Sequence, residues 1–246
     1  AGISRVNLID ATPIGVNVRS TVATYSGVLD ELRRAFARTE EARADRLKPG
    51  AFSYNTGSLR CPTCDGTGQI TLDVQFLPDV DIECTDCRGS RYGAQASQIR
   101  RDGLSLPDIM AMSVDEARVA VRGLKKAGAL LETLSGLGLG YLTLGEATPA
   151  LSGGEAQRLK LASEMGRRQD GTLFVFDEPT IGLHPDDVQV LIDVLQHLIE
   201  RVATVLVIEH DLDLIRCADW VIDMGPGGGI EGGRIVAQGT PSDIVD

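Results

Sequence analysis

Three short stretches of this chain carry residue types suited to holding phosphate and activating water. The run Leu151-Ser152-Gly153-Gly154-Glu155 reads as a glycine turn opening a helix. Such a turn leaves backbone N–H groups without intrahelical acceptors, and the positive end of the helix dipole stands behind them. The result is a cradle for an anion such as phosphate. Downstream, the apolar run Leu173-Phe174-Val175-Phe176 ends in Asp177-Glu178-Pro179-Thr180. Acids at the C-terminal end of a buried strand lie where open α/β sheets hold ligands; Asp177 suits gripping Mg²⁺ and Glu178 suits orienting a water. A second apolar run, Val205-Leu206-Val207-Ile208, delivers Glu209 and His210 to the same sheet edge, where His210 is placed to sense a γ-phosphate. The glycine turn and the strand-end acids call for the same ligand, a nucleotide triphosphate. Ser152 with Glu155 three residues on is equally a capping box, a purely structural way to start a helix.

A different chemistry is written in the cysteines. Cys61-Pro62-Thr63-Cys64 and Cys84-Thr85-Asp86-Cys87 are two C-x-x-C knuckles with 19 residues between them, each with a glycine, Gly66 or Gly89, two positions after its second cysteine. Four thiolates at this spacing can close a tetrahedron around structural Zn²⁺, and the glycines let amides turn towards sulfur. Disulfides or a redox pair are the competing readings. They suit a reducing compartment and a matched pair of knuckles poorly. The fifth cysteine, Cys217, is expected as inert core on an apolar helix face. Arg60, Arg88, Arg91, Arg100 and Arg101 fall on or beside the knuckles. They are candidates for contacts to DNA backbone phosphates, and equally for scattered surface charge.

The elements needed to position these groups are legible in outline. Arg5 to Asp10 reads as a short buried strand ending in a Pro13-Ile14-Gly15 turn. Residues 26–47 form one amphipathic helix with Val28, Leu29, Leu32, Ala35 and Phe36 inward. Residues 69–83 alternate and form a β-hairpin turning at Pro78-Asp79. Ser113-Val114-Asp115-Glu116 is a capping box opening a helix, and a second helix runs through Leu130, Leu131, Leu134 and Leu137. After the acidic strand, a helix from about 185 to 201 leads to the strand before His210. Residues 220–224 and 234–238 are final strands about a Gly-rich turn, which lacks a following Lys-Ser/Thr and is no phosphate loop.

At 246 residues the chain can bury a substantial core, and it has no apolar run of membrane length. No membrane association and a cytoplasmic location are expected. Aromatics make up 4 % of the residues, which disfavours a nucleic-acid surface built of stacking platforms. The net charge of −11 is unevenly spread. From Asp170 onward there are 15 acids against 3 bases, whereas residues 1–169 hold 20 acids and 21 bases. The acidity therefore says nothing against a DNA surface in the front part.

The signature turn, the acidic strand, Ile181-Gly182-Leu183-His184-Pro185 and the run through His210-Asp211 together resemble the ABC-type ATPases. With Phe76-Leu77-Pro78-Asp79-Val80 between zinc knuckles, Leu151 to Ala162, and Ala218-Asp219-Trp220-Val221-Ile222-Asp223, the resemblance narrows to the UvrA family, through nearly the whole chain. It implies an α/β fold: an ABC-type ATPase half with an inserted helical signature domain and a small zinc-bound β-hairpin module. The implied division is 1–25 for the first strand and Q-loop, 26–150 for the signature domain with the zinc module at 58–92, and 151–246 for the signature helix, Walker B acid, D-loop and switch histidine. It also implies a damage-sensing ATPase of nucleotide-excision repair, acting on distorted double-stranded DNA as a homodimer with a UvrB-type partner. In that scheme Asp177 holds Mg²⁺, Glu178 polarises the water, and His210 senses γ-phosphate. Ser152, Gly153, Gly154 and Glu155 serve the partner site.

Two departures from the pattern stand out. There is no G-x-x-x-x-G-K-[ST], so the chain is expected to need an N-terminal remainder of the same protein, and to be nearly inactive alone. Where the family reads Asp-Gln-Ser-Pro-Ile-Gly-Arg, this chain has Asp10-Ala11-Thr12-Pro13-Ile14-Gly15-Val16. Loss of that glutamine points to weaker hydrolysis, or to a UvrA-like paralogue that protects against DNA-binding drugs. A non-enzymatic zinc-knuckle module like that of DnaJ-type chaperones matches the first knuckle alone.

Overall fold

The computed structural model describes residues 2–15, 17–72, 80–165, 170–183, 185–227 and 232–245, with backbone only at 185–187. Its strands are β1 (Arg5–Ile9), β2 (Gln69–Leu72), β3 (Val80–Glu83), β4 (Arg100–Arg101), β5 (Leu104–Ser105), β6 (Thr172–Asp177), β7 (Thr204–Ile208), β8 (Val221–Gly225) and β9 (Arg234–Gly239). Its α-helices are α1 (Val22–Tyr25), α2 (Val28–Phe36), α3 (Glu40–Ala44), α4 (Leu106–Met110), α5 (Val114–Ala120), α6 (Lys125–Leu134), α7 (Gly153–Met165), α8 (Pro185–Glu200), α9 (Leu212–Arg216) and α10 (Pro241–Val245). They gather into two compact units, residues 1–10 with 169–246, and residues 11–168.

The first unit is built on a parallel sheet in the order β1-β6-β7. Ile9 pairs with Phe176 and Asp177 with Ile208, so all three strands finish at one edge. The alternation of β6 buries Phe174 and Phe176 on one face, whose rings stack at 6.3 Å. Helix α8 joins β6 to β7 and buries Val188, Leu191, Ile192, Leu195 and Leu198, the stripe its helical spacing predicts. On the other face Val6, Leu8, Leu206 and Ile208 are exposed. Strands β8 and β9 pair antiparallel with an irregularity after Asp223.

The second unit is mainly helical. Val28, Leu29, Leu32, Ala35 and Phe36 are buried as the periodicity of α2 requires, and Phe36 packs on Phe52. The single helix expected over 26–47 is two. Thr39 interrupts it, its hydroxyl accepting the N–H of Ala42 as the N-cap of α3. A capping threonine inside an amphipathic run restarts the helix without disturbing the apolar spacing. The Ser113–Glu116 capping box forms as expected. Helix α6 continues into a wider turn at Ser135–Leu139, where Gly138 adopts φ 70°, a conformation open to glycine at little cost.

Cys217 corrects another expectation. It is exposed, because α9 is only five residues long and ends at Arg216, leaving Leu214 as its buried residue. The expected hairpin pairs as β2 with β3. Its turn at Pro78-Asp79, Phe76 and Leu77 beside it, Val16, His184 and the centre of the 225–233 turn lie outside the described residues. Among the described residues no helix is long and apolar enough to cross a membrane.

Candidate functional site

The common edge of β6 and β7 brings the candidate acids and the histidine together. Asp177 is the exposed last residue of β6. Glu178 continues the pairing for one more step, its N–H donating to the Ile208 carbonyl at 2.9 Å. It does so with φ 46°, the left-handed region that a non-glycine residue occupies only when its surroundings hold it. The Nδ1 of His210 lies 4.0 Å from Glu178 Oε1. Both side chains reach solvent, the imidazole being 76 % and the carboxylate 44 % exposed.

Glu209, noticed in the sequence only as a residue arriving at this edge, is the most heavily engaged group in it. Its side chain is 2 % exposed and its Oε2 stands 3.6 Å from His210 Nδ1. It accepts from the Thr180 N–H at 2.9 Å, from the Thr180 hydroxyl, from the His210 N–H at 2.7 Å and from the Asp211 N–H at 3.3 Å. Burial alone would raise its pKa. The hydrogen bonds from Thr180, His210 and Asp211 outweigh burial and hold the carboxyl below its ordinary range. The signal available in sequence was an acid directly after an apolar strand, which does not tell a ligand from a brace.

The signature turn opens α7 with its capping box formed. The Ser152 N–H donates to Glu155 Oε2 at 2.7 Å, and the Glu155 N–H to Ser152 Oγ at 3.3 Å. The Tyr141 hydroxyl donates to the other oxygen of Glu155. Partial burial raises the Glu155 pKa, but Tyr141, Ser152 and the charge of Arg158 together bring it below the usual value. Ser152 and Gly153 are exposed and Gly154 is half-buried. The amides of Gly153 and Gly154 fall in the first turn, where no intrahelical acceptor exists. A side chain at Gly153 would come within 3.1 Å of Ala11 Cβ and 3.2 Å of its carbonyl. Lys160 Nζ reaches Thr12 Oγ1 at 2.8 Å, so the segment that begins at Ala11 lies along α7.

The four knuckle cysteines converge and are buried, with all their sulfurs within 4.8 Å of one another. Cys61 and Cys84 are 3.9 Å apart, and Cys64 and Cys87 are 3.6 Å apart. Four sulfurs at Zn–S distances of about 2.3 Å would stand about 3.8 Å apart at the corners of a tetrahedron, whereas a disulfide needs about 2.05 Å. The Gly68 N–H donates to Cys64 Sγ at 3.3 Å, and Ile70 packs against the cluster. Burial, reinforced by the neighbouring sulfurs, pushes Cys87 up to about 12. The four converging sulfurs, at separations suited to a tetrahedron, fit a divalent metal.

The five arginines do not form one surface. Arg91 is buried; it donates to the Val18 carbonyl at 2.9 Å and lies 5.3 Å over the ring of Tyr54. It is an internal brace, not a DNA contact. Arg60 pairs with Asp65 at 2.5 Å, and Arg88 is exposed beside Cys87. Arg100 and Arg101 lie on β4 and line an open cleft of about 450 Å³ with Arg38, Glu40, Glu41 and Leu124.

Comparison with known proteins gives a consistent answer. No family model matches the chain. The chain is 48 % identical over 244 residues to UvrABC system protein A of Synechocystis sp., covering 99 % of this chain and 25 % of that protein. It is 48 % identical to the UvrABC system protein A of Aquifex aeolicus, covering 26 % of it. The chain thus spans about a quarter of the length of the curated relatives it matches. Among solved structures, UvrA2 from Deinococcus radiodurans superposes with TM-score 0.88 at 43 % identity, over 98 % of this chain and 30 % of that one. In sequence and fold this chain is similar to UvrA proteins over nearly all of its own length.

Proposed function

We propose that this chain carries part of the ATP-hydrolysing and DNA-gripping machinery of a UvrA-type protein, a damage-recognition ATPase of nucleotide-excision repair. The observation that supports this most directly is the juxtaposition of Asp177, Glu178 and His210 where β6 and β7 end, with the imidazole 4.0 Å from the Glu178 carboxylate. In this reading Asp177 binds Mg²⁺, which would neutralise phosphate charge. Glu178 holds the attacking water and takes its proton as the water oxygen bonds to the γ-phosphorus and the bond from that phosphorus to the β–γ bridging oxygen breaks, so that ADP leaves; His210 contacts the γ-phosphate. The first-turn amides of Gly153 and Gly154, together with Ser152 and Glu155, serve a second nucleotide bound by another ATPase half.

The chain holds no G-x-x-x-x-G-K-[ST], so nucleotide turnover is a property of the complete protein with its N-terminal part, acting as a homodimer. Zn²⁺ on Cys61, Cys64, Cys84 and Cys87 is structural. The exposed Arg88, with Arg100 and Arg101, meets the backbone of distorted duplex DNA, which favours readout through deformability over base contacts. A UvrB-type protein is the partner that the family resemblance implies. The domain roles follow the division at residues 25/26 and 150/151.

The test is steady-state ATPase of the complete protein with Glu178→Gln. A loss of 100-fold or more in kcat, on the order expected for removing a group that acts in the transition state, with ATP still bound, supports the reading. Robust Glu178-dependent turnover by this chain alone would overturn it. A second reading, a UvrA-like paralogue that protects against DNA-binding drugs, is favoured by Ala11 in place of the family glutamine and by the similarity to a UvrA2. Drug sensitivity without ultraviolet sensitivity in a deletion strain would select it.

A further inference from the structure

We infer that Glu209 is the positioning residue of the strand-end site: its buried carboxylate clamps the turn after β6 to the turn after β7, fixing Glu178 and His210 relative to each other. The inference rests on the nucleotide-hydrolysis reading for its functional meaning, but its structural content stands apart from it.

The geometry divides the carboxylate between two loops. Oε1 takes the N–H and hydroxyl of Thr180, two residues beyond Glu178. Oε2 takes the N–H groups of His210 and Asp211. A carboxylate has about four lone-pair directions, and four donors address them here. Because the side chain is 2 % exposed, water cannot replace a lost partner, and an unsatisfied buried donor is costly.

The two groups that would do the chemistry have no such enclosure. The imidazole of His210 and the carboxylate of Glu178 both project into solvent, so packing does not set their separation. Their backbones set it. Glu178 must be kept at φ 46°, and His210 begins the turn whose N–H groups Glu209 collects. Removing the clamp leaves the β6–β7 ladder, which runs through Asp177 and Ile208 to the bond from the Glu178 N–H to the Ile208 carbonyl, and takes away the link from Glu209 to Thr180 beyond it. Glu209 touches neither nucleotide nor water in this scheme; it acts through Thr180 and His210.

Glu209→Gln keeps the shape but turns an NH₂ group towards one of the two pairs of donors, so one loop loses its acceptor. Thr180→Val removes one donor from the opposite side and checks the same link without touching residue 209. Hydrogen exchange followed by mass spectrometry on the complete protein reads both. The expected result is exchange faster by about tenfold or more in peptides covering 178–183 and 209–212 together for Glu209→Gln, and a smaller rise in both for Thr180→Val. Peptides within 173–176 of β6 should stay unchanged. A rise confined to 209–212, a uniform rise through β6, or no change overturns the inference. In the ATPase assay Glu209→Gln should lower kcat about tenfold or more with KM for ATP held within about twofold; a purely structural role would instead scale the active fraction, removed by normalising to bound nucleotide. If the wild-type protein hydrolyses no ATP, the functional reading fails while the exchange arm still decides the clamp.

Discussion

Arg19 and Asp65 are joined twice: the Arg19 guanidinium donates to the Asp65 carbonyl at 2.7 Å and to its carboxylate at 3.1 Å. Asp65 follows Cys64 directly, with φ 50°, so the knuckle conformation that presents sulfur inward also presents Asp65 to Arg19. Arg91, four residues after Cys87, reaches Val18. Both knuckles thus hold the segment that runs on from the turn at Pro13 to Gly15. Removing the metal by chelation, or by Cys64→Ser, is expected to speed hydrogen exchange at residues 17–20 together with residues 60–68 and 84–91. Structural zinc contributes on the order of 10 kcal/mol to such sites, so the knuckles should unfold locally. Peptides from α5 and α6 serve as the control and should change little. Exchange at 17–20 that ignores the metal would break the proposed tie.

Arg91 and Arg88 should separate stability from DNA affinity. Arg91→Ala removes a buried hydrogen bond and the cation over Tyr54, a ring that also packs edge-on against Tyr92 at 5.9 Å. The expected cost is about 1–3 kcal/mol in denaturant unfolding, with DNA affinity of the folded protein unchanged. Arg88→Ala should leave stability within about 0.5 kcal/mol while weakening binding and reducing the salt slope by about one. The opposite pattern would return Arg91 to the DNA surface.

Acid should loosen the two carboxylate braces before it unfolds the rest. Glu209 and Glu155 are both held, by the hydrogen bonds they accept, below the ordinary glutamate value of 4.5. A depressed folded pKa means the unfolded chain binds the proton more readily. The stabilisation is therefore fully present above about 4.5 and is lost as pH falls through the lowered folded values. Asp177, Glu178, His210 and Asp211 are further ionisable groups that flank Glu209 in the chain or stand at the same strand ends, so the comparison must be made against Glu209→Gln and Glu155→Gln. Urea midpoints measured from pH 6 to pH 3 should fall less steeply below pH 4.5 in each variant than in the wild type. Tyr141→Phe, which removes a donor to Glu155, should flatten the fall in the same direction.

The sequence exposed what depends on local spacing and hid what depends on distant pairing. The C-x-x-C spacings led to four converging sulfurs, and the alternation through Phe174 and Phe176 to a strand that ends at Asp177. Thr39 was hidden because its capping bond leaves the apolar periodicity on either side intact. The role of Arg91 was hidden because its acceptor lies 73 residues away at Val18, and a guanidinium in a Cys-rich finger looks the same whether it points in or out. Glu209 was hidden for a similar reason. It matches Asp177 in kind, an acid at the end of an apolar strand, but its partner Thr180 lies 29 residues earlier. Cys217 misled because a helix of five residues cannot carry the apolar stripe its sequence suggests.

Gly153→Ala should divide the signature turn from the strand-end acids. A Cβ there would stand 3.1 Å from Ala11 Cβ and 3.2 Å from the Ala11 carbonyl, so one or the other must move by a few tenths of an ångström. The turn is exposed and can give way, which keeps the stability cost at the low end of about 1–3 kcal/mol for overpacking. The added methyl group nevertheless stands at the opening of the anion cradle, where a phosphate oxygen would need to approach the Gly153 and Gly154 amides closely. In the complete protein, ATP affinity should hold within about twofold, because the phosphate loop and Mg²⁺ ligands of each site are untouched. The rate of hydrolysis should fall about tenfold or more, since the cradle completes the site only on closure. Equilibrium nucleotide binding and single-turnover hydrolysis, measured on the same preparation, give the two numbers separately. A parallel loss of both would mean that residue 153 shapes the fold of the helix start and not the closed nucleotide site.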